Sequence, residues 1–100
     1  MPIRANELER ILTNKFGFSP AETRSKDHRW FELQLPDLPT ILTKISQGRN
    51  EIGKNLEGKI ARQLRVRKPF YSEMVGCVKD REDYYLQVSE DPYPPWDVLF

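Results

Sequence analysis

The chain is poor in the residues that carry most small-protein chemistry. It has one histidine and one cysteine in 100 residues. The lone Cys77 cannot close an internal disulfide, and the Cys/His pairs of a structural zinc site are missing. Without a second histidine, a two-histidine nuclease scheme is excluded. Glycine is scarce too: Gly48, Gly53 and Gly58 lie too far apart to form a phosphate-cradling loop. No charge-free run approaches the length of a membrane span. Met1-Pro2-Ile3-Arg4 leads directly into a polar helix, with no apolar signal region. These absences predict a single domain over residues 1–100, cytoplasmic, with no membrane contact, no metal and no cofactor.

What is present is an uneven distribution of charge. The net charge of +1 hides a basic middle and an acidic end. Residues 44–68 carry eight basic side chains against two acidic ones, Glu51 and Glu57. Residues 69–100 carry Lys79 and Arg81 against seven acids. A basic segment suits a polyanion such as nucleic acid, and the acidic end could screen it or dock on it. A solvated helix face would look the same.

Hydrophobic periodicity gives the elements. Leu8, Ile11, Leu12 and Phe16 recur at helical spacing and predict a helix over Asn6–Lys15, capped by Gly17. Phe18-Ser19-Pro20 turns the chain, and Ala21–Ser25 reads as a first, edge strand. After a turn at Ser25-Lys26-Asp27, alternation predicts a second strand from His28 or Arg29 to Leu35. Pro36–Pro39 is a turn, and Thr40–Ile45 a third strand. Three strands joined by short turns imply an antiparallel meander. A second helix follows, with Asn55 as N-cap and Leu56, Ile60, Ala61 and Leu64 buried. Pro69–Cys77 reads as a short third helix whose apolar edge is Phe70, Met74 and Cys77. Asp83–Val88 alternates and reads as a fourth strand or added edge. The proline-rich end from Asp91 can be neither helix nor central strand. The expected class is α+β: a small antiparallel three-stranded sheet with helices on one face, plus a C-terminal helical or strand extension.

The chemistry centres on His28, which opens the second strand. Histidine can give or take a proton near neutral pH. Lys26 and Arg29 flank it and could hold a phosphate, and Asp27 could orient the imidazole. Trp30 could stack a base, or simply be a half-exposed packing residue. Lys59, Arg62 and Arg65 fall in line along the second helix and are candidates for phosphate contacts on charge alone. A histidine at a strand entrance is also an ordinary surface residue. Cys77 has no evident base beside it, and the acidic run Asp80, Glu82, Asp83 reads first as a solvated turn.

Certain stretches resemble one known family. They are Leu8 to Phe18, Arg24-Ser25-Lys26-Asp27-His28-Arg29-Trp30-Phe31, Ile45-Ser46-Gln47-Gly48-Arg49-Asn50-Glu51-Ile52, and Leu56 to Leu64. Together these are similar to the HicA (YcfA-like) mRNA interferase toxins. The likeness covers residues 5–66, leaving 67–100 as an extension beyond the family core. It implies a double-stranded-RNA-binding-domain-like α-β-β-β-α fold and a metal-independent endoribonuclease. It further implies His28 as the catalytic histidine and a cognate antitoxin as partner. The family's usual Gly-Ser before the histidine is Lys26-Asp27 here. Two other functions remain open beside this one. One is a non-catalytic RNA-binding module. The other is an interaction domain that uses the tail aromatics Tyr93, Trp96 and Phe100 with Leu99. A homodimer is compatible with each.

Overall fold

The computed structural model describes residues 3–21, 28–46 and 51–98. The turn at 25–27, and Lys26 with it, lies outside the described residues, as does the loop at 47–50. The elements run α1 (Ala5–Arg10), a π-helical turn (Ile11–Lys15), β1 (Ser19–Ala21), β2 (His28–Leu33), β3 (Ile41–Ser46), α2 (Lys54–Gln63), α3 (Lys68–Val75) and α4 (Arg81–Glu90). The class is α+β. The three strands form one antiparallel sheet in the order β1-β2-β3.

The sheet is one-sided, as the alternation requires. Phe31, Leu33, Ile41, Thr43 and Ile45 are buried, while Glu32 and Leu42 stand exposed on the opposite face. Ala5, Leu8, Leu12 and Phe16 bury the apolar stripe of the first helix in the same cluster. Ile60, Ala61 and Leu64 do so for α2. Tyr71, Met74, Tyr84 and Val88 come from beyond residue 66 and belong to that cluster too.

The helix ends show how the last third of the chain is attached. A helix leaves its final carbonyls without partners, and burying them unpaired is costly. The first helix widens at its end, with the Phe16 N–H reaching the Ile11 carbonyl (3.3 Å). Gly17 then reverses the chain at φ +81, and a Cβ there would sit 2.9 Å from the Tyr85 hydroxyl. The close approach has a purpose. The Tyr85 hydroxyl donates to the Phe16 carbonyl (3.0 Å), and the Arg81 Nε to that of Lys15 (3.0 Å). The Tyr84 hydroxyl, deep in the core, donates to the Leu64 carbonyl at the end of α2 (2.9 Å). Burial, then the neighbouring Tyr85, pushes the Tyr84 phenol well above its ordinary pKa.

α2 closes with a Schellman motif. The Arg65 N–H donates to the Arg62 carbonyl (3.1 Å) and the Val66 N–H to that of Ala61 (3.0 Å). The left-handed position usually given to glycine is occupied by Arg65, at φ 67. Its side chain explains the choice. The residue is 8 % exposed, and its guanidinium donates to the carbonyls of Pro94 (3.1 Å), Pro95 (2.7 Å) and Val98 (2.9 Å). It also lies 4.9 Å from the Trp96 ring centre. In return, the Tyr93 N–H donates to the Arg65 carbonyl (2.8 Å) and the Trp96 indole to that of Val88 (3.0 Å). One arginine therefore straps the tail to the end of α2. Burial, and then Arg62, lowers its pKa.

Four sequence expectations need correcting. The first strand begins earlier, at Ser19, and contains Pro20; as an edge strand it can spare that N–H. What was expected of residues 22–25 lies outside the described residues. The N-cap of α2 is Gly53, not Asn55. α3 buries Tyr71 and Met74, whereas Phe70 only packs against the core and Cys77 is exposed, at φ 63 just past the helix. Asp83–Val88 is no strand but part of α4. A reciprocal cap decides it. The Asp80 carboxylate accepts from the Asp83 N–H (3.0 Å), and the Asp83 carboxylate from the Asp80 N–H (3.0 Å). That first bond holds the Asp80 carboxyl below its ordinary pKa. Tyr84 and Val88, four apart, then face the core, and Leu86 is left 57 % exposed.

Arg65 and Cys77 sit in equivalent left-handed positions, so glycine should relieve strain at both. Cys77→Gly is expected to stabilise the fold by about 1 kcal/mol. Arg65→Gly is expected to destabilise it by roughly 2 kcal/mol, because the lost clamp outweighs the relief. Urea denaturation reads both signs.

Candidate functional site

The residues singled out from sequence fall into three neighbourhoods. His28 opens β2 opposite Ser46, two residues before the Trp30–Lys44 pair. Trp30 is half-buried, and the Lys44 ammonium lies 5.9 Å from its ring centre. Ala21 pairs with Trp30 from the other side. This row crosses all three strands on the face that carries Glu32 and Leu42. Next along β2, Arg29 belongs to the other face. It donates to a Glu9 carboxylate oxygen on α1 (3.1 Å) and lies 5.6 Å from the Phe31 ring centre. A phosphate would have to compete with Glu9 for it.

The basic helix resolves differently from its spacing. Arg65 lies beyond the end of α2 and is spent on the tail, so it is not in line with Lys59 and Arg62 on the open face. Those two residues share a groove of about 400 Å³ with Arg67, Lys68 and Tyr93. The Arg67 guanidinium lies 4.5 Å from the Tyr93 ring centre and that of Arg62 6.0 Å. The described lining carries four cations and no carboxylate. Asp91 touches the rim through Arg67 (3.4 Å), an exposed pair of the kind that contributes little. Sequence reasoning did not place Arg67, Lys68 or Tyr93 at this groove, and Tyr93 figured only among the tail aromatics of an interaction domain. The run Arg65-Val66-Arg67-Lys68 inside the basic segment was the available signal for two of them.

A larger cleft of about 960 Å³ runs between α1, the start of α2 and α3. Ile3, Ile11, Ile52 and Val75 line it together with carboxylates and lysines of both α2 and its neighbours. The buried Tyr71 hydroxyl beside it has no hydrogen-bond partner among the described residues, and its pKa is raised by burial and by Glu57. Its charges are mixed, so it offers no selective field. Among the described residues no three His, Cys, Asp or Glu side chains gather as a metal site, and Asp80 and Asp83 are engaged in capping α4. No described helix is long and apolar enough to cross a membrane.

Comparison of the chain with protein-family models, with curated proteins and with solved structures gave no match.

The groove should behave as a polyanion site. With four cations engaged by a single-stranded nucleic acid, log K against log salt is expected to slope at about −3, and Lys59→Ala to flatten it by about 0.7. Anisotropy titrations over a salt series measure this, and a salt-independent affinity would contradict it.

Proposed function

We propose that the chain binds RNA and cleaves it without a metal, as a HicA-like endoribonuclease of the cytoplasm. The observation that carries the binding half is the groove at Lys59, Arg62, Arg67 and Lys68, where four cations surround one aromatic ring with no carboxylate in the described lining. Phosphates favour such a surface, and A-form and single-stranded RNA both present them. The catalytic half is supported by the order helix, three-stranded meander, helix, with His28 opening the middle strand. That order is the one a double-stranded-RNA-binding-like fold uses.

The chemistry follows from what one imidazole can do. His28 takes the proton of the 2′-hydroxyl, whose oxygen attacks the adjacent phosphorus. The P–O5′ bond breaks, and the leaving oxygen takes up a proton from the imidazolium, which returns to its neutral form. The products are a 2′,3′-cyclic phosphate and a 5′-hydroxyl. Positioned proton transfer of this kind contributes about 10²–10⁴-fold. Trp30 and Lys44 lie two residues along from His28, where they would stack a base and meet a phosphate. Lys26 would add a cation. A toxin of this kind requires a protein antitoxin, and an acidic partner suits the groove. A homodimer remains part of the proposal.

The engagement of Arg29 with Glu9 favours a second function, a non-catalytic RNA-binding module that uses the same groove. The two separate in one assay. With EDTA present, wild type is expected to release cyclic-phosphate ends from RNA, and His28→Ala to lose at least about 10²-fold in rate while keeping RNA affinity. Salt-sensitive binding with no cleavage by either protein would establish the module instead. Equal cleavage by both would remove His28 from catalysis.

A further inference from the structure

The tail does more than cover the core. Tyr93 is placed by a rigid strap: its own N–H is held by the Arg65 carbonyl, and the next two carbonyls are held by the Arg65 guanidinium. Yet Tyr93 is 39 % exposed and stands outside the hydrophobic core. A tyrosine fixed so firmly yet left partly in solvent needs another explanation. Its surroundings supply one. The Arg67 guanidinium stacks against it at 4.5 Å, Arg62 lies at 6.0 Å, and Lys59 and Lys68 line the same groove. Gly58 lines the groove as well, where a Cβ would meet nothing closer than the Lys68 stem at 3.9 Å. The space, about 400 Å³, lies within the roughly 300–1,000 Å³ of small-ligand sites.

A tyrosine–guanidinium stack beside further cations offers two things at once: a flat surface for a planar base and donors for a phosphate. An acidic peptide would use the charges but leave the ring idle. A fully paired duplex would also leave it idle, because its bases are already stacked. We infer that this groove holds one unpaired nucleotide of an RNA strand, with its base on the Tyr93–Arg67 stack and its phosphate among Lys59, Arg62 and Lys68. The inference rests on the RNA-binding function proposed above and adds a preference for single strands. The exposed Arg67–Asp91 pair gives way when the phosphate enters.

The test compares a labelled oligouridine strand, an RNA duplex of equal length and a polyglutamate peptide, each titrated against the full chain. Tyr93→Leu removes the ring and leaves the backbone strap in place; a thermal melt checks that the fold is kept. Tyr93→Leu is expected to weaken oligouridine binding about tenfold and leave duplex binding as it was, and Tyr93→Phe to restore the strand affinity. Unchanged strand affinity in Tyr93→Leu, or equal losses on strand and duplex, would overturn the inference. So would polyglutamate binding as tightly as the strand, which would make the groove a charge reader only. If Tyr93→Leu has no effect but Lys59→Ala and Arg62→Ala weaken both RNAs, RNA binding stands and the stacking site falls. If wild type binds neither RNA, both fall together.

Discussion

A guanidinium taken out of water must find acceptors, and Arg65 finds three of them in the chain's own tail. Much of the rest depends on that exchange. It holds a non-glycine residue in the left-handed turn that ends α2, it fixes the proline-rich segment, and it aims Tyr93 beside the basic groove. The same need recurs at the other helix end. Arg81 and Tyr85 close the carbonyls after the first helix, and Tyr84 closes that of Leu64. α4 and the tail thus satisfy polar groups that the sheet and the first two helices leave open. The region beyond residue 66 shares the core, both apolar and polar.

This anatomy separates two jobs that charge alone confuses. Of the three cations whose spacing suggested one line, Lys59 and Arg62 face a groove, while Arg65, beyond the end of α2, is a structural pin. Of the cations near His28, Arg29 is turned to the helix side and engaged by Glu9, and Lys44 stands against Trp30. The groove gathers Lys59 and Arg62 from α2, Arg67 and Lys68 from the start of α3, and Tyr93 from the tail. The tail, acidic overall, contributes an aromatic ring to the basic surface, and its Asp91 pairs with Arg67.

How far the sequence could be read follows from these particulars. Period-two burial in Phe31, Leu33, Ile41, Thr43 and Ile45, and period-3.6 burial in Leu8, Leu12 and Phe16, were legible because one face of each element meets the core. Tyr84, Leu86 and Val88 misled because they alternate, while Tyr84 and Val88 also fit a helical turn. The Asp80–Asp83 cap, two side chains three residues apart, settled the matter, and that signal was in the sequence. The end of α2 was not legible. No glycine marks it, because Arg65 takes the glycine position for the sake of the tail thirty residues away. The groove was only half visible for the same reason, since Tyr93 reaches it by a long-range strap.

Amide shift mapping tests the central claim most directly: that the tail-strapped groove beside α2 is where RNA meets the chain. The ¹⁵N-labelled protein would be titrated with a short single-stranded RNA at low salt. The account predicts shifts at Lys59, Arg62, Arg67, Lys68 and Tyr93, and at the start of β2 around His28 and Trp30. Shifts confined to the cleft at Glu7, Ile11 and Ser72, or none at all, would contradict it.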